Sequence, residues 1–296
     1  MKIGPFELCI DVIFINNVIA LTGIDKQIKY QHFIELMNRT KTSFYNAIDE
    51  ILRVYNHAGF QIKAIYCDQE FKCVFDAVKD DMDVHMNYTA AGEHEPNAER
   101  NNQHFKSGVR TLCERHFYKR IPKVMTSAYG RRVARTSNFY PAKDGVSEYY
   151  SPHMIILKTR VDYTREFVAE LGNYVQGYGH ETHRNQRTRT IDGIYLGPAP
   201  NVQAGHLLMN LHTGKPITRT RVKVLPMTKQ VIDLVETMAA NEGVKELRMY
   251  SRTTGAPLLD ADLLAGVDPD ELWDDEYQSD NDNPPINDNN LRNEKY

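Results

Sequence analysis

Along the first 90 residues the apolar positions fall into two rhythms. Residues 7–16, ELCIDVIFIN, form a nearly unbroken run of β-branched and aromatic side chains, which reads as a central strand buried on both faces. One ionisable residue, Asp11, interrupts it, and an unpartnered carboxylate there would be costly. Residues 18–23 and 28–33, set apart by the polar turn IDKQ, extend the run into a meander of three strands. From Lys41 to His57 the rhythm changes: Phe44, Ala47, Ile48, Ile51, Leu52 and Tyr55 recur at helical spacing, and Gly59 supplies the stop. FQIKAIYCD then reads as a strand ending at Asp68. Strands, a crossover helix and another strand imply a right-handed return to the same sheet. Reactive groups in such sheets collect at the carboxyl ends of the strands.

A short helix over 71–78 and a strand over 84–88 follow, then a helix opened by Pro96. Ala98, Phe105, Val109 and Leu112 mark its apolar stripe, and Glu99, Gln103, Lys106 and Arg110 share another face. Further on, residues 174–178, 190–196, 207–211 and 218–225 read as short strands separated by Gly, Pro or Asn turns. In the last of them Arg219, Arg221 and Lys223 alternate with Thr220, Val222 and Val224, so one face of a single strand is expected to be basic. Such a face suits phosphates, or protects a sheet edge against aggregation.

The chain has 296 residues, 41% of them hydrophobic and 25% charged, enough for one large or two smaller domains. It has no run of the roughly 20 apolar residues that would cross a membrane, and no secretory pattern, so an intracellular protein with no membrane partner is expected. Four scattered cysteines, Cys9, Cys67, Cys73 and Cys113, fit reduced thiols. The net charge of −3 hides a division. The first 255 residues hold 34 Lys plus Arg against 27 Asp plus Glu, whereas Ala256 onward holds 2 against 12. The tail, with DDEYQSDNDNPPINDNN, is too polar to fold by itself and is expected to be disordered. HETH at 180–183 has no cysteine pair nearby and is not read as a zinc site.

Three acidic residues stand apart: Asp11 inside an apolar strand, Asp68 at a strand end, and Glu99 in the first turns of a helix. Their spacing is compatible with a shared metal site and equally with ordinary caps and surface charges. The stretches LCIDVIFINNVIALTGIDKQIKYQHFIELMNRT, YNHAGFQIKAIYCDQEF, NYTAAGEHEPNAERNNQHFK and GVSEYYSP resemble, in order, the integrase core of copia-type long-terminal-repeat retrotransposons. RTRTIDGIYLGPAPNVQAGHLLMNLHTGKPITRTRVKVLP resembles the small barrel that follows that core, so the likeness covers roughly residues 5–226.

The resemblance implies an α/β fold with a ribonuclease-H-like mixed sheet and flanking helices, followed by a small antiparallel β-barrel and the disordered acidic tail. It divides the chain into a catalytic core at 1–150, a connecting segment at 151–169, a Src-homology-3-like barrel at 170–226, and a helical linker with the tail at 227–296. It makes Asp11, Asp68 and Glu99 the catalytic and metal-holding residues, with two Mg²⁺ or Mn²⁺ ions. Glu93 and Glu95 compete with Glu99; Glu95 is the fallback, weakened because it precedes a proline. DNA, both element ends and target, is the implied partner, with Lys106, Arg110, Arg219, Arg221 and Lys223 as phosphate contacts. Self-association into a homo-oligomer and a nuclear place of action for a functional copy also follow from it. Two other readings share these residues: an inactive nucleic-acid-binding remnant, and a metal-dependent nuclease of the same fold. One departure is Arg131, Arg132 and Arg135 in AYGRRVARTSNFYP, where the family has a mostly apolar helix. Either these arginines face DNA or the helix is damaged.

Overall fold

The computed structural model describes residues 6–88, 95–178, 190–199, 205–245, 249–250 and 257–259; HETH at 180–183 and nearly all of the acidic tail lie outside them. The first sheet is built from β1 (Phe6–Ile15), β2 (Val18–Asp25), β3 (Gln31–Leu36), β4 (Ile62–Cys67) and β5 (His85–Tyr88), in the order β3-β2-β1-β4-β5. The first three strands are antiparallel neighbours, while β1–β4 and β4–β5 run parallel. Asn16 and Asn17 take positive φ (48° and 62°), the geometry a two-residue hairpin demands, and so reverse the chain between β1 and β2.

The third strand begins at Gln31 rather than at Ile28, as the apolar pattern suggested. The reason is Asp25. Its buried carboxylate accepts hydrogen bonds from the backbone N–H groups of Gln27, Ile28, Lys29 and Tyr30 and from the Tyr55 hydroxyl, which commits residues 27–30 to a turn.

Helix α1 (Lys41–Ala58) crosses one face of the sheet, capped by Thr40 and ended by Gly59 at φ 84°. Its buried Phe44, Ile48, Ile51 and Tyr55 pack with Leu8, Ile10 and Leu21. A 3₁₀ turn (Gln69–Val74) and α2 (Phe75–Met82) lead from β4 to β5. On the other face lie α3 (Pro96–Glu114) and α4 (Lys123–Ser137). Helix α4 is unbroken despite its arginines, and Gly130 lets it approach β3 so closely that a Cβ there would stand 2.3 Å from the Phe33 ring. Arg131 pairs with Glu35 at 3.8 Å. Arg132 and Arg135 both reach Glu166 in α6 (Tyr163–Glu166), which follows α5 (Pro152–Leu157). Neither sequence-level alternative describes these two: they clamp a buried carboxylate within the fold.

The second sheet consists of β6 (Tyr174–Tyr178), β7 (Thr190–Pro198), β8 (His206–Asn210), β9 (Pro216–Arg219) and β10 (Arg221–Val224). It is antiparallel, in the order β10-β6-β7-β8-β9. The expected strand at 218–225 is two strands at opposite sheet edges, meeting at Thr220, whose N–H and hydroxyl both donate to the Tyr178 carbonyl. Among the described residues the element is an antiparallel sheet whose edge strands β9 and β10 are linked by the chain at Thr220, with no ladder between them. Helix α7 (Lys229–Asn241) buries Val231, Val235 and Ala239. One apolar cluster runs from Ile13 and Ile15 through Phe105, Val109, Met125 and Tyr129 to Ile194, Leu196, Met209, Leu211, Val231 and Val235. A two-stranded ribbon, β11 (Met249–Tyr250) and β12 (Pro257–Leu259), completes the described chain. Among the described residues no helix is long and apolar enough to cross a membrane.

Candidate metal and nucleic-acid site

The parallel register pairs Cys9 with Tyr66, and two residues further along each strand stand Asp11 and Asp68. Asp68 lies just past the carboxyl end of β4, in extended conformation (φ −78°, ψ 169°) before the 3₁₀ turn. Strand alternation turns Asp11 to the same face as Cys9 and Ile13, toward α3. There Asn102 Nδ2 donates to Asp11 Oδ2 at 2.6 Å, and the Thr22 hydroxyl, across from Asp11 on β2, donates to Asn102 Oδ1 at 2.7 Å. The other oxygen, Asp11 Oδ1, accepts from the N–H of Val12 at 2.7 Å. Burial pushes the Asp11 carboxyl up to about 6, with the charges of Asp68 and Glu70 adding to that rise.

The remaining expected residues lie on α3 and on the edge strands of the second sheet. Glu99 is exposed on α3, one turn before Asn102. Glu95, the fallback, is partnered beside Cys9: its Oε1 accepts from Asn97 Nδ2 at 2.9 Å and from the Cys9 thiol at 3.5 Å, and stands 3.7 Å from Lys26 Nζ. Glu93 lies outside the described residues. Among the described residues no group of three or more His, Cys, Asp or Glu converges on a common ion position. Asp11 and Asp68 nonetheless have the donor chemistry of a hard cation, carboxylate oxygens beside a third negative charge, Glu70. In donor chemistry such a pair suits Mg²⁺ or Mn²⁺.

The proposed phosphate contacts divide in the same way. Lys106 and Arg110 are half-buried on α3, and the Nε of Arg110 is buried without a hydrogen-bond partner among the described residues. Arg219, Arg221 and Lys223 do not share one strand face. The chain bends at Thr220, leaving Arg221 and Lys223 exposed on β10 while Arg219 is half-buried on β9. The Arg219 stem fills the space over Gly177, where a Cβ would come within 2.8 Å of its Cγ. Thr22 and Asn102 were not singled out from sequence, because their roles follow from strand register and from how α3 lies on the sheet.

No protein-family model matches the chain, and no curated protein matches it. Among solved structures it is similar to the catalytic core domain of BIV integrase, with 12% sequence identity and a TM-score of 0.39, over 52% of this chain and 95% of that one.

Proposed function

We propose that the chain is a metal-dependent polynucleotidyl transferase of integrase type, acting on DNA through a ribonuclease-H-like core. The observation that carries the reading is the parallel β1–β4 pair with Asp11 and Asp68 level at its carboxyl end and α3 laid across, in contact with Asp11 through Asn102. Asp11 and Asp68 would hold divalent metal, with Glu99 joining them from α3; it is a helix-surface neighbour of Asn102, at i and i+3. Bound there, Mg²⁺ or Mn²⁺ would activate a nucleophile and stabilise the leaving oxygen of an in-line displacement at phosphorus. The chain's own part is to hold Asp11 in one orientation through Thr22 and Asn102, and to set phosphates beside it with Lys106 and Arg110. Arg221 and Lys223 would hold DNA farther from the chemistry.

The exposed position of Glu99 favours a second reading, a DNA-binding remnant that keeps the fold and lacks the reaction. A strand-transfer and nicking assay on the full chain with Mg²⁺ or Mn²⁺ separates the two. Activity lost in both Asp68→Asn and Glu99→Gln, with duplex binding retained without metal, supports the transferase. Binding without activity in the parent chain supports the remnant.

A further inference from the structure

Arg39 pairs with Glu70, the carboxylate two residues after Asp68, from a turn whose backbone is fixed on both sides. Asn38 Oδ1 accepts from the Thr40 N–H, the Thr40 hydroxyl and the Ser43 hydroxyl, and Thr40 caps α1. The guanidinium Cζ sits 5.4 Å from the ring centroid of Phe14, near the end of β1, and Nη2 pairs with Glu70 Oε2. Glu70 follows Asp68 by two residues, and its charge is felt at Asp11. The carboxylate is incompletely matched: Oε1 is buried with no hydrogen-bond partner among the described residues. Arg39 itself remains 50% exposed, against 26% for Glu70. Its planar fork of donors is therefore stacked on Phe14, paired with Glu70 and open to solvent.

A half-exposed ion pair of this kind contributes little to fold stability, so the fold alone gives little reason for a pinned arginine here. Guanidinium binds phosphate as it binds carboxylate, and here it engages only one oxygen of Glu70, so its fork keeps donors that phosphate oxygens could take. Three carboxylates at this end, Asp11, Asp68 and Glu70, would repel a phosphodiester unless cations offset them. We propose that Arg39 is a substrate-positioning residue that exchanges Glu70 for a DNA backbone phosphate next to Asp11 and Asp68. The inference rests on the reading of the site as one that acts on DNA.

The exchange makes the two partners of one ion pair act in opposite directions. Binding of a short fluorescent duplex to the full chain is measured over a range of salt concentrations, beside thermal unfolding, for Arg39→Gln, Arg39→Lys and Glu70→Gln. Arg39→Gln should weaken binding several-fold and reduce the slope of log affinity against log salt by about 0.9, the share of one phosphate contact, with the unfolding midpoint unchanged. Arg39→Lys should restore the slope. Glu70→Gln should tighten binding, because the competing carboxylate is gone. An unchanged slope in Arg39→Gln, or weaker binding in both Arg39→Gln and Glu70→Gln, overturns the proposal. The same titrations in an Asp68→Asn background contain no catalysis, so a lost slope there supports Arg39 even where the parent chain proves inactive. An active parent chain with an indifferent Arg39→Gln rejects Arg39 alone.

Discussion

Asp11 and Asp68 stand out in the sequence by position, a carboxylate inside an apolar strand and another where a strand ends, and the β1–β4 register sets them level. Asn102 broke no rule, lying beside Asn101 and Gln103 in a polar stretch of an amphipathic helix. Only the Asp11–Thr22 register and the lie of α3 reveal it as the partner of Asp11. His32 was hidden for the same reason. It is buried on β3 between Tyr30 and Tyr55, with ring centroids 4.9 Å and 5.5 Å away, and its Nε2 has no hydrogen-bond partner among the described residues. Burial drives its pKa from 6.5 down to about 3. Above pH 6.5 the ring is neutral in both states and costs nothing. As pH falls from there toward 3, the unfolded chain takes up a proton that the folded chain refuses, so stability declines by at most about 1.4 kcal/mol per pH unit. Asp11, raised to about 6, acts in the opposite direction between its ordinary 3.8 and 6, so wild-type curves contain both effects. The difference between wild type and His32→Phe isolates the histidine. In urea denaturation the variant should lose less stability than wild type between pH 6.5 and 4, and parallel curves would mean that His32 is protonated or solvated in the folded chain.

At the scale of elements, helical periodicity identifies the buried face of α1 and α3, because spacing alone determines which residues meet the sheet. Strand alternation misleads where the chain bends. Residues 218–225 alternate without interruption in sequence, but the chain leaves one sheet edge at Arg219 and joins the other at Arg221, and nothing local at Thr220 announces this. The basic set consequently divides into two functions. Charge reversal of Arg221 and Lys223 together should weaken binding to duplex DNA of any sequence, lower the salt slope by about 0.9 per lost contact, and leave the unfolding midpoint in place. Arg219→Glu should do the reverse, because its stem covers Gly177: the midpoint falls and the slope stays. Equal slope changes from all three residues, with no loss of stability, would reinstate a single basic face. The arginines of α4 carry the same lesson. Arg132 is 11% exposed and Glu166 only 5%, so these charges belong to the link between α4 and α6, a pairing across 34 residues that no local pattern contains.

For the whole molecule, the question is whether the two sheets behave as one body. The family resemblance implied a core, a connector and a barrel in sequence, with residues after 226 as a helical linker and tail. The apolar cluster that continues from β1, α3 and α4 into β7, β8 and α7 gives the described chain a shared interior instead of a bare connection. Helix α7 is tied to it by polar contacts as well: Glu236 accepts from the backbone N–H of Lys119 at 2.8 Å, and Glu242 from that of Lys123 at 2.7 Å. Sequence could not show this, since Val231, Val235 and Ala239 make a stripe that would suit any apolar surface. A shared interior makes a specific demand. Val235→Ala removes two buried methyl-sized groups at a fully buried position on α7, and should destabilise by about 2 kcal/mol. If the interior is continuous, hydrogen exchange under increasing denaturant should show amides of β1 and β4 losing protection together with those of β7 and β8, in wild type and variant alike. If Val235→Ala releases β7 and β8 while β1 and β4 stay protected, the second sheet is a separate folding unit. DNA held at Arg221 and Lys223 would then lie on a body free to move relative to Asp11 and Asp68, whereas a continuous interior fixes the distance between the two.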